Sequence, residues 1–155
     1  MNMKNFLIAA IICTVGLSSN SVQSQEHQHP TSKHTKLTLN HGKKWNSDAP
    51  LRQSMDTLRS AFQQKLEGGH HALSKADFKQ LGEITHAEVS NMVANCKLTP
   101  EADAVLHQII AEMMQGADVM TAKAKGKPEN AAHKVIAALN NYGRLFDHPN
   151  WVVLK

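Results

Sequence analysis

The side chains of this sequence best suited to hold a ligand are soft donors: the thiol of Cys96, the thioethers of Met55 and Met92, and the imidazoles of His86 and His107. Thiolate, thioether and imidazole together suit Cu(I) and can accept Zn(II). None of these residues forms a local His-x-x-x-His or Cys-x-x-Cys pair, so a site among them must be assembled by packing separate elements. A second set of donors, His27 and His29, stands near the N-terminus. If the chain is cut after Ser24, His27 becomes the third residue. The new amine, two deprotonated backbone amides and that imidazole then supply the four nitrogens of a square-planar Cu(II) or Ni(II) site.

Other chemistries find less support. Cys96 and His107 could form a nucleophile and base, but no activating motif surrounds either. The acids are spread along the chain without a paired carboxylate, and no glycine-rich phosphate loop is present. Met113, Met114 and Met120 invite a copper reading too, yet Met113 and Met120 fall on an apolar stripe and read as core.

The elements that must position these donors follow from composition and punctuation. The chain has 155 residues, 41% of them hydrophobic and 19% charged, a composition that fits one small globular domain. Its net charge of +4 is unevenly placed. Phe6 to Leu17 is a short apolar run behind Lys4, and Val22-Gln23-Ser24 has the small-x-small form of a cleavage site, so residues 1–24 read as a signal peptide. Cys13 would leave with it. The run is shorter than the roughly 20 apolar residues that span a bilayer, so no membrane anchor is expected in the mature chain. Residues 25–46 read as a mobile arm carrying four histidines, four lysines and one acid. From Ser47 onward basic and acidic residues balance at twelve each, which leaves no basic face for nucleic acid.

Residues 47–155 read as an all-α domain. A first helix opens at Ser47-Asp48 with Pro50 in its first turn and closes at Gly68-Gly69, with Leu51, Met55, Leu58, Phe62 and Leu66 on one stripe. A second opens near Ser74, ends at Leu98 and buries Phe78, Leu81, Val89, Met92, Val93 and Cys96. Thr99-Pro100-Glu101 starts a third, whose stripe is Ala102, Leu106, Ile109, Met113, Ala117 and Met120. Past Gly126 and Pro128, a fourth carries Ala132, Val135, Ile136, Leu139, Tyr142 and Phe146 and stops at His148-Pro149. Four such helices on short loops bury their stripes only against one another, which predicts an up-down-up-down antiparallel four-helix bundle. Met55, Met92, Cys96 and Tyr142 then lie within about two turns of one end, with Trp45 and Trp151 just outside it. His86 and His107 flank the seam between the second and third helices, at heights differing by roughly 7.5 Å.

The layout resembles the soluble periplasmic four-helix cytochromes of the b-type and c′-type, over roughly residues 48–147. The sharper likeness is Ser54-Met55-Asp56-Thr57-Leu58, where the b-type family carries its methionine haem ligand. That resemblance implies b haem held by Met55. The family's second ligand is a histidine in an Asn-x-Tyr-His context, whereas here Asn140-Asn141-Tyr142 is followed by Gly143. The covalent attachment motif Cys-x-x-Cys-His is absent. Tyr142 and His148 are the neighbouring residues that a cofactor would meet, and His148 is the substitute ligand. Met55 and Gly143 are both central to their stripes, so a notch is expected opposite Met55.

The sequence therefore predicts an exported, periplasmic, non-catalytic four-helix protein that binds a metal ion, copper preferred, through Met55, His86, Met92, Cys96 and His107 or through His27 and His29. The rival expectations are a b-type haem protein with Met55 as a ligand, and a ligand-free interaction or sensor module. The latter would present Trp45, Trp151 and Phe146 to a periplasmic protein partner.

Overall fold

The computed structural model describes residues 37–67 and 73–155. The predicted signal segment and the arm histidines His27 and His29 lie outside these residues. The described part is mainly helical, with four helices: α1 (Ala49–Glu67), α2 (Lys75–Asn95), α3 (Pro100–Met120) and α4 (Pro128–Leu145). None is long and apolar enough to cross a membrane.

The helix starts follow the expected punctuation. Asp48 caps α1, its Oδ1 accepting from the Leu51 amide at 2.9 Å. Ser74 caps α2 in a reciprocal box with Asp77. The Asp77 carboxyl is held below the usual carboxylate range, first by the Lys65 ammonium bonded to it and then by Ser74. Thr99 caps α3, with Pro100 in the first turn where its missing N–H leaves no bond unmade.

The apolar stripes meet in one core that includes Met55, Phe62, Leu106, Met113, Leu139 and Tyr142. Contacts run end to end between successive helices. Lys65 late in α1 reaches Asp77 early in α2, while Asn91 late in α2 donates to Ser54 early in α1 at 2.9 Å. The α3–α4 contact is the most extensive, and Gly116 allows it: a Cβ there would lie 2.5 Å from Val135 Cγ2 and 2.9 Å from the Ala131 carbonyl. By contrast, α1 and α4 make few direct contacts.

Four local readings change. Helix α4 stops at Leu145 rather than at His148-Pro149, because Phe146 turns extended (φ −108°, ψ 143°). Helix α2 stops at Asn95 rather than Leu98, because Cys96 turns extended (φ −69°, ψ 142°). Val93, expected in the core, is 66% exposed, beside the opening where α2 ends and α3 begins. Residues 37–46, whose polarity suggested a mobile arm, hold a turn closed by Asn40 and Lys43. A parallel two-residue ladder then follows, pairing β1 (Trp45–Asn46) with β2 (Phe146–Asp147). Lys44 Nζ donates to the Gly143 carbonyl at 2.7 Å, placing a cation where the C-terminal end of α4 is negative.

Candidate functional site

Two groups of polar or soft side chains stand out, and they differ in access. The first lies where α2 ends and α3 begins. Met92, Cys96, Asp103 and His107 line a cleft of about 480 Å³, rimmed by Val93, Leu98, Pro100 and Ile110. Three of the sequence-predicted donors are thus brought to one place, because the short link between the helices returns the chain at once.

Each donor has a distinct setting. Met92 is buried in the cleft floor as part of the core. Cys96 is the residue that closes α2, its amide donating to the Met92 carbonyl at 2.9 Å, and its thiol is free of any disulfide. Burial, then the Asp48 carboxylate to which the thiol is hydrogen-bonded, then Asp103, push that thiol up to about 12. The same negative field that keeps a proton on sulfur favours a metal cation in the proton's place. His107 is exposed at the mouth. Its Nδ1 is 3.0 Å from the Asp103 carbonyl and 3.3 Å from Asp103 Oδ2, so in the neutral ring Nδ1–H donates there and Nε2 presents its lone pair. Among the described residues no three His, Cys, Asp or Glu side chains converge as a metal cage. A metal in this cleft would need the Met92 thioether, and a sulfur-rich set of that kind suits Cu(I) better than Zn(II).

His86 is not part of the cleft. Ten residues before Cys96, it sits about 15 Å away along the helix. Its Nε2 lies 2.9 Å from Asp118 Oδ1, linking α2 to α3.

The second group fills the α1–α4 seam. His148 is 8% exposed, with Nδ1 2.9 Å from the Tyr142 hydroxyl and Nε2 3.2 Å from Asp56 Oδ2. In the neutral ring the hydroxyl donates to Nδ1 and Nε2–H donates to the carboxylate. Both ring nitrogens are engaged, so His148 ties the segment after α4 to both α4 and α1. Burial raises the Tyr142 phenol well above its ordinary value, opposed by the Ser47 hydroxyl and Arg52 and reinforced by Asp56 and Cys96. Sequence reasoning missed Asp56 and Arg59 here, since nothing in their local pattern marks a partner some ninety residues on.

The predicted notch at Gly143 is filled from within the chain. A Cβ on Gly143 would stand 2.1 Å from both Cδ1 and Nε1 of Trp151, so the indole rests directly on the glycine backbone. Met55 behind it is fully buried. A haem between Met55 and α4 has no space, and His148, the substitute ligand, has both nitrogens occupied. These residues do not fit that cofactor. Of the aromatic residues expected in a partner-facing cap, Phe146 is fully buried, stacked on Tyr142 at 5.3 Å, whereas Trp45 is partly exposed, its Nε1 donating to the Thr38 carbonyl at 2.7 Å.

Compared with known proteins, the sequence matches no family model, no curated protein and no solved structure.

Proposed function

We propose that this protein is a periplasmic, non-catalytic carrier of a soft metal ion, Cu(I), built as an up-down-up-down antiparallel four-helix bundle. The ion is held by Cys96, Met92 and His107. The observation that carries this reading is the common cleft: a thiol, a thioether and an imidazole, on two helices and without a local motif, line the same opening. Binding displaces the Cys96 proton into solvent, while Asp48 and Asp103 supply negative charge around the resulting thiolate complex. The end-to-end helix contacts support the antiparallel arrangement, and the apolar run at Phe6 to Leu17 supports export.

The test is Cu(I) titration of the mature protein under anaerobic conditions against a chromophoric chelator. One ion per chain, lost in Cys96→Ser and weakened in His107→Ala, is the expected result. Retention by Cys96→Ser together with loss on deleting residues 25–36 would move the ion to the arm, to His27 and His29. No retained copper in the parent protein would end the proposal.

A further inference from the structure

The last residues of the chain form a strap that doubles back along α4. After Pro149 the backbone reverses through Asn150 (φ 61°), and the Trp151 amide donates to the His148 carbonyl at 3.3 Å. The Asn140 carboxamide then grips the strap twice, accepting from the Leu154 amide at 3.0 Å and donating to the Leu154 carbonyl at 2.9 Å. Between these fixings Trp151 lies in the Gly143 notch, edge-on to Tyr142 at 5.0 Å and under the Arg59 guanidinium at 5.8 Å. The strap therefore occupies the seam where α1 and α4 make little direct contact.

The closed position carries a defect. Two adjacent donors, Trp151 Nε1 and Arg59 Nε, are buried without a hydrogen-bond acceptor among the described residues; the nearest carboxylate oxygen to Arg59 Nε, Asp56 Oδ1, is 3.8 Å away. A buried donor left unpaired is penalised relative to the same group in water. Lifting the strap hydrates both at once. Leu154 is the one strap side chain in the core apart from the indole, whereas Val152 and Val153 face solvent.

We infer that residues 149–155 are a lid over the α1–α4 seam, hinged at Pro149-Asn150 and poised to open by itself, uncovering the Tyr142 ring, the Gly143 backbone and Arg59 while the four helices stay folded. His148 remains behind as the anchor on Asp56 and Tyr142. This inference is independent of the copper reading.

Native-state hydrogen exchange on the full chain tests it. The Leu154 amide should exchange through a local opening, faster than the Val135 amide in the core and with no dependence on low urea. Gly143→Ala, whose Cβ collides with the indole, should bring Leu154 close to the unprotected rate and leave Val135 protected. Replacing Trp151 by 3-benzothienylalanine keeps the ring shape but removes the N–H, and should slow Leu154 exchange about tenfold. Acrylamide quenching of Trp151 emission in a Trp45→Phe background should be stronger in Gly143→Ala than in the parent. Leu154 exchanging only with global unfolding, at the Val135 rate, would overturn the lid, as would a benzothienyl variant with unaltered exchange. If Gly143→Ala fails to fold, the benzothienyl variant decides alone.

Discussion

The α2–α3 cleft and the α1–α4 seam lie toward the same end of the molecule and use polar side chains in opposite ways. In the cleft, donors stand beside solvent with capacity to spare: His107 keeps Nε2 free and Cys96 sits half-buried beside two carboxylates. In the seam, His148 spends both nitrogens on Tyr142 and Asp56, and an indole closes the remaining space. A histidine next to a tyrosine and a carboxylate looks more like a functional site than an exposed histidine beside a methionine does. Access and unspent hydrogen-bonding capacity reverse that ranking.

The contrast can be broken by substitution, beginning with the largest effect. Met55→Ala should lower stability by about 2–5 kcal/mol, as deletion of a fully buried large side chain does, without changing Cu(I) affinity; thermal unfolding and titration together check this. A loss of copper would show that the two regions are one site. Cys96→Ser should weaken Cu(I) by more than about a hundredfold, since removal of even an outer partner costs 10–100-fold, with little change in melting temperature.

Tyr142→Phe should cost about 1–2 kcal/mol, because it leaves the buried His148 Nδ1 without its partner, again with copper affinity unchanged. The pH dependence sharpens the cleft alone. With the Cys96 thiol pushed up to about 12, it is protonated throughout the neutral range, and each ion bound releases one proton. Apparent Cu(I) affinity should therefore rise about tenfold per pH unit between pH 6 and 9. A flat profile would remove the thiol from the ligand set. Smallest of all, His86→Ala should cost no more than about 1 kcal/mol, the scale of a single partly exposed hydrogen bond, and leave copper binding intact.

Much of the architecture could be read from the chain. Ser74 with Asp77, Thr99 with Pro100, and the stripe from Ala102 to Met120 are local signals, and each helix starts within a residue or two of its expected place. The cleft was partly legible: Met92, Cys96 and His107 were singled out for their chemistry, but nothing in their spacing required them to meet. His86 carried the same credentials and proved to be hydrogen-bonded to Asp118 at another height. Val93 continued the apolar pattern of α2, yet that helix ends three residues sooner than the pattern suggested, and Val93 stands 66% exposed at the rim of the cleft.

What the sequence determined by itself is whatever depends on neighbours within about four residues: caps, breaks, helical faces, and the kinds of donor present. Tertiary structure alone decided which donors share a cleft and which are consumed. The Gly143 gap shows why. A missing side chain on a central stripe reads as an opening from sequence, but whether it stays open depends on a tail turning at Asn150 and being caught by the Asn140 carboxamide. That capture trades chain entropy against burial of one indole and one leucine, a balance between distant segments that no local pattern records.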